Sequence, residues 1–245
     1  MDKLLFAKIR DVTKRFGAVT AVDNISLTVN KGEIFGLVGS DGAGKSTLLR
    51  MAATMTPPDS GSISIKGLDV IHDRQKVKMV MGYMPQRFGL YQDLTVDENM
   101  QFFMDIFGIF GDERKMRLER YLGFSNLLPF LDRPAGKLSG GMKQKLGLAC
   151  VLVHEPELVI LDEPTNGVDP VSRMEFWDIL FSMKGQGMTI MVSTSYLDEG
   201  EKCDRIALMH KSRIIGIDTP VNMKQGYPDL EEAVVERIKD VEIVK

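Results

Sequence analysis

The sequence predicts an α/β domain with a largely parallel sheet and a helical insert. Two observations carry this. Short apolar runs rich in β-branched residues alternate with longer helical patterns. From about Leu94 to Val153 the pattern is helical throughout.

The opening, "LLFAKIRDVTKRF" and "AVDNISLTV", reads as two strands before any strong helix. A buried strand, "IFGLVG" (Ile34–Gly39), runs into a glycine-rich turn and then the helix "KSTLLRMAA". The breaker "TPPDSG" precedes the strand "SISIKG", and "VMGYMPQ" follows. The insert contains "TVDENMQFFMDIFG", "DERKMRLERYLG" and "GGMKQKLGLACVLV". Thr95 and Glu98, three residues apart, suit a capping box at its first helix. Strands return at "LVILD", "MTIMVST", "IALMH" and "RIIGID". The strand ending at Thr194 meets a polar turn and a helix opening at Leu197, and the amphipathic "DLEEAVVERI" comes last.

A chain of 245 residues is long enough to bury a core, and 27% charged against 44% hydrophobic residues argues against disorder. A net charge of −3 shows no basic excess, so no nucleic-acid partner is expected. Cys150 and Cys203 lack metal spacing and read as reduced thiols of a cytosolic protein. Charges scattered through "MDKLLFAKIR" argue against a signal peptide, and no run reaches about 18 apolar residues. Work at a membrane would need another chain to make the crossing. Met100, Met104 and Met116 are expected in the core, as is the lone Trp177. His72, His154 and His210 have no ligand-spaced companions.

"GSDGAGKST" fits G-x-x-x-x-G-K-[ST] between a strand and a helix. Its residues are Gly39, Ser40, Asp41, Gly42, Ala43, Gly44, Lys45, Ser46 and Thr47. Such a loop turns backbone N–H groups toward a phosphate while the next helix offers its positive end. Lys45 would reach the β- and γ-phosphates of ATP, and Ser46 would ligate Mg²⁺. Asp41 sets a carboxylate among anions, a repulsion of about 3 kcal/mol at ~6 Å before screening. It either weakens binding or points away onto a backbone N–H. "LVILDEP" ends a strand in two acids: Asp162 to hold Mg²⁺, directly or through water, and Glu163 to polarise the attacking water.

At "LSGGMKQKLGLA" followed by "ILDEPTNGVDP" the chain resembles the ATP-binding subunit of an ABC transporter, over essentially all of residues 1–240. The resemblance implies a P-loop NTPase fold: a RecA-like, mostly parallel sheet, an N-terminal antiparallel β subdomain and an α-helical insert. Core and β subdomain would cover about 1–90 and 154–220, the α-helical subdomain about 91–153, and a C-terminal helical segment about 221–245. Leu138, Ser139, Gly140 and Gly141 match the family signature, with Met142 where glutamine is commonest, a substitution familiar among multidrug and antibiotic exporters. Asn166–Asp169 match the loop that crosses to a partner subunit. Gln86 matches the glutamine that touches Mg²⁺ and reports to the membrane domain. Phe16 is placed to stack on adenine. Two such domains would sandwich ATP head to tail, each signature serving the other's phosphate loop. The expected partners are an integral-membrane permease, near "QRFGLYQDLT", and a second cassette, identical or different. The expected location is the cytoplasmic face of the cell membrane.

The same resemblance puts the family's switch histidine at Ser195, whose short side chain stops several ångströms short of the γ-phosphate and carries no charge. Loss of one preorganised donor costs about 10²–10³ in rate. This is similar to asymmetric exporters with one degenerate site, in particular to the first of two cassettes joined in tandem, where "STSYLDE" also occurs. Three readings stand: slow hydrolysis at this chain's own site, hydrolysis with water bridging Ser195 to phosphate, and a regulatory cassette that binds ATP and completes a partner's site.

Overall fold

The computed structural model describes residues 5–243. In chain order the elements are β1 (Leu5–Phe16), β2 (Val19–Asn30), β3 (Ile34–Val38), α1 (Lys45–Ala52), β4 (Ser60–Ile65), β5 (Leu68–Asp69), α2 (Arg74–Val80) and β6 (Met81–Met84). Then come α3 (Val96–Ile106), α4 (Gly111–Phe124), α5 (Gly140–Leu152), β7 (Leu158–Asp162), α6 (Pro170–Gly185), β8 (Thr189–Thr194) and α7 (Leu197–Gly200). β9 (Arg205–His210), β10 (Arg213–Asp218), α8 (Pro220–Met223) and α9 (Leu230–Ile243) follow.

One sheet is antiparallel, in the order β2-β1-β4-β5; the other runs β10-β9-β3-β8-β7-β6. Strands β9, β3, β8, β7 and β6 are parallel, and β10 joins β9 antiparallel. All residues of β3, β7 and β8 are buried, as expected of a sheet covered on both faces. Their side chains alternate between two cores. Ile34, Val38, Val159, Leu161, Ile190 and Val192 join the core beneath α3–α6, whereas Phe35, Leu37, Leu158, Ile160 and Met191 meet the antiparallel sheet and α1. Each large aliphatic chain buried this way is worth about 1.5–3 kcal/mol.

Side chains cap the starts of α3, α5, α6 and α8. Thr95 Oγ1 accepts from Glu98 N at 3.1 Å while Glu98 returns a carboxylate oxygen to Thr95 N at 2.8 Å, the expected capping box. Ser139 caps α5. Asp169 caps α6, with Pro170 at its first position.

Three features differ from the sequence reading. The 16-residue α6 was not anticipated, because its mixed polar and apolar composition gives little periodicity; Trp177 in it is core, as expected. The start of "VMGYMPQ" belongs to α2, leaving a four-residue strand. Met116 is 62% exposed rather than core, unlike the fully buried Met100 and Met104, because α4 turns that face to solvent. Both cysteines are buried free thiols, pushed up in pKa by burial. Among the described residues no helix is long and apolar enough to cross a membrane.

Candidate nucleotide site

The phosphate loop leaves β3 at Gly39 and enters α1 at Lys45. Its path needs glycine at both ends. A Cβ on Gly39 would press on the Met209 carbonyl, and Gly44, at φ 104°, would press on that of Ala21. The loop borders a cavity of about 430 Å³, lined also by Gln86 and Glu163 and, at its rim, by Val19 and Ser212. Lys45, only 3% exposed, donates to the Gly39 carbonyl at 2.7 Å and the Ser40 carbonyl at 3.1 Å, and its Nζ lies 3.0 Å from Glu163 Oε1.

The two acids ending β7 have separate surroundings. Asp162 is fully buried. Its Oδ1 accepts from Ser46 Oγ and Ser193 Oγ, each at 2.8 Å, and Tyr83 OH lies 3.4 Å from its Oδ2. Burial and the Asp162 charge push the Tyr83 hydroxyl up to about 12, so it stays protonated as a donor. Glu163 sits in the left-handed region at φ 49°, unusual for a side chain of its size. Its N–H is held by Ser193 Oγ at 3.0 Å, and its Oε2 accepts from Gln86 Nε2 at 3.0 Å and Asn166 Nδ2 at 3.2 Å. The turn therefore aims this carboxylate at the cavity while Asp162 stays beneath it.

A Mg²⁺ ion fits this chemistry. Ser46 and Asp162 offer oxygen donors already in contact, and Mg²⁺ commonly takes one or two protein ligands, with phosphates and water completing its shell. Among the described residues no cluster of three or more His, Cys, Asp or Glu offers an all-protein cage.

Most of the predicted loop, Gln86 and both acids converge here, while Phe16, the signature residues and Ser195 do not line the cavity. Phe16 ends β1, 53% exposed, and its ladder partner Val19 lines the cavity. Asp41 is exposed on the cavity wall and makes no hydrogen bond among the described residues, so of the two alternatives the bond to a backbone N–H is not formed. Ser139, Gly140 and Gly141 do not line the cavity. Ser139 and Gly140 are exposed at the start of α5, and Ser139 Oγ accepts from Met142 N at 3.2 Å. Ser195 is exposed just past β8, also off the cavity, and makes no hydrogen bond among the described residues. Sequence reasoning missed Ser193 and Tyr83. A serine inside the otherwise apolar "TIMVST" was the available signal, since a buried hydroxyl needs a partner.

A second groove of about 770 Å³ is larger but apolar, lined by Met79, Phe88, Phe103, Ile106, Phe107 and His154 among others. It holds none of the phosphate-binding or acidic groups.

The family model for ABC transporters matches residues 22–166, more than half of the chain. The chain belongs to the ABC transporter family. It is an ABC ATP-binding domain, of the ATPase type. This cassette is 48% identical over 219 residues to the probable multidrug ABC transporter ATP-binding protein YbhF of Escherichia coli, covering 89% of this chain and 38% of that protein. It is 39% identical over 212 residues to the Nod factor export ATP-binding protein I of Burkholderia lata, covering 86% and 70% respectively. A solved ATP-binding subunit of an ABC transporter superposes with a TM-score of 0.85 at 28% identity, over 95% of this cassette and 99% of that chain. The cassette thus spans well under half the length of YbhF.

Proposed function

We propose that this cassette powers a membrane exporter by binding MgATP between its own phosphate loop and the signature of a second cassette, with slow turnover at its own site. The carrying observation is the division of parts. Lys45, Ser46, Gln86 and Glu163 border one cavity, while the exposed start of α5 with Ser139 and Gly140 does not. A helix N-terminus with unsatisfied N–H groups suits a phosphate held by another subunit.

In this reading Phe16 stacks on adenine, and residues 39–47 wrap the phosphates. Ser46 and Asp162, with Gln86 at the rim, hold Mg²⁺, which when bound neutralises charge on the β- and γ-phosphates. Glu163 takes a proton from water as its oxygen attacks the γ-phosphorus and the bond to ADP breaks. Lys45, paired with Glu163 without nucleotide, shifts to the γ-phosphate and frees the carboxylate for this work. Ser195 supplies no imidazole, so the developing charge has one donor fewer.

The remaining parts of the reading concern partners and layout. The relatives' names, multidrug and Nod factor export, support an exporter. The apolar groove beside α3 receives a helix of an integral-membrane permease, which holds the cassette on the cytoplasmic face of the membrane. The helical subdomain covers about 91–153 and the core about 1–90 and 154–220. The second cassette is identical or different, separate or fused in tandem, and the 38% coverage of YbhF is in keeping with the fused form.

Exposure of Ser195 favours a second reading, a regulatory cassette that binds ATP and completes a partner's site. Steady-state hydrolysis by the cassette with its permease separates the two. Slow hydrolysis raised by Ser195→His supports the first reading. No hydrolysis at this site in either form, with ATP still bound, supports the second. Unchanged turnover in both Ser195→Ala and Ser195→His means that residue 195 does not limit the rate.

A further inference from the structure

Glu199, in α7, is fully buried and takes no part in the chemistry above. Its carboxylate gathers three donors from three separate segments. Oε1 accepts from Thr165 Oγ1 at 2.7 Å and Arg173 Nε at 3.1 Å, and Oε2 accepts from Thr194 Oγ1 at 2.6 Å. Thr165 lies two residues beyond Glu163, and the next residue, Asn166, donates to the Glu163 carboxylate. Thr194 immediately precedes Ser195, and its hydroxyl also accepts from Tyr196 N at 3.0 Å. Glu199 therefore fixes the Thr194 hydroxyl, which in turn holds the Tyr196 N–H, so the residues on both sides of Ser195 are tied to it. Arg173 closes the arrangement from α6, lying 4.2 Å over the Tyr196 ring and pairing with Asp198.

A buried carboxylate is costly unless it is paired and hydrogen-bonded; Arg173 supplies the charge partner here, and the two hydroxyl bonds go to the loops beside the reactive groups. An apolar residue would fill the same space without tying those loops together.

We propose that Glu199 is a positioning residue for ATP hydrolysis, setting the Glu163 loop and residue 195 at a fixed separation across the terminal phosphate. This rests on the reading above that Glu163 and position 195 flank that phosphate. Displacement of a reacting group by about 1 Å costs on the order of 10²-fold in rate, so small relaxations of either loop matter.

The test uses the cassette assembled with its permease, with amide hydrogen exchange and steady-state kinetics measured side by side. In Glu199→Gln, exchange rises about tenfold over both 163–169 and 194–197 while α1 keeps its wild-type protection. The kcat falls about tenfold to a hundredfold and KM for ATP stays within about twofold, because the phosphate loop is untouched. Thr194→Val reproduces the fall and Thr194→Ser, which restores the hydroxyl, does not. Wild-type exchange in either segment of Glu199→Gln overturns the proposal, as does wild-type kcat in that variant. General loosening that includes α1, with kcat per folded molecule unchanged in Thr194→Val, also overturns it by reducing Glu199 to a fold-holding role. A wild-type cassette without turnover strikes the hydrolysis reading instead, and the exchange pattern then decides the positioning claim alone.

Discussion

Lys45 Nζ lies 3.0 Å from Glu163 Oε1, and the two side chains are only 3% and 7% exposed. The phosphate-loop cation is thus held by the acid proposed to activate water. Neutralising that acid removes a negative charge facing the γ-phosphate and releases Lys45 toward it. Glu163→Gln is expected to bind MgATP at least as tightly as wild type while single-turnover hydrolysis falls about 10²–10⁴-fold. Equilibrium binding of a fluorescent ATP analogue together with a quench assay checks both halves. Lys45→Ala leaves Glu163 buried without its cation and is expected to cost about 3–5 kcal/mol of stability, read by urea unfolding.

Gly141 and Ser172 bring the starts of α5 and α6 into contact. A Cβ on Gly141 would collide with both Cβ and Oγ of Ser172. Gly141→Ala should lose about 1–3 kcal/mol to overpacking and weaken ATP-driven dimerisation. Adding Ser172→Gly makes room, so the double variant should be more stable than the sum of the single effects, as a double-mutant cycle in urea would show.

Asp41 is exposed on the cavity wall without a hydrogen-bond partner among the described residues. Its repulsion of phosphate is therefore screened by solvent and salt. Asp41→Asn should tighten MgATP binding by up to about fivefold at low ionic strength, with the gain fading at about 1 M salt. Isothermal titration at two salt concentrations measures it.

His154 stacks on Phe107 with ring centroids 4.1 Å apart, and its Nε2 lies 3.2 Å from the Met81 carbonyl. A carbonyl only accepts, so Nε2 carries the proton, while Nδ1 is buried with no partner among the described residues. Burial holds its pKa below 6.5, since a second N–H would have no acceptor. Below 6.5 the unfolded chain binds a proton that the folded one refuses, so stability rises with pH through that window and is lost on acidification. Between about pH 7.5 and 5.5 the urea midpoint of wild type should fall more steeply than that of His154→Gln.

Ile106 is 59% exposed in the apolar groove proposed for the permease helix. A charge there would lose its water on docking. Ile106→Asp is expected to abolish co-purification with the permease and leave ATP affinity unchanged. Normal co-purification would move the docking surface elsewhere.

The phosphate loop, the acid pair ending β7, the capping box of Thr95 and Glu98 and the alternation of strands and helices were all legible in the sequence. Each depends on residues close in the chain, whose spacing dictates backbone conformation and local hydrogen bonds. The start of α6 was also signalled, by Asp169 and Pro170, but its weak periodicity hid the helix. What the tertiary structure alone decided are contacts between distant residues: Ser46 on Asp162 across 116 positions, Ser193 shared between both acids, and Glu199 joining three segments. Hydrogen bonds of that kind depend on how the parallel strands set their ends side by side, and one-dimensional spacing carries no information about which ends will meet.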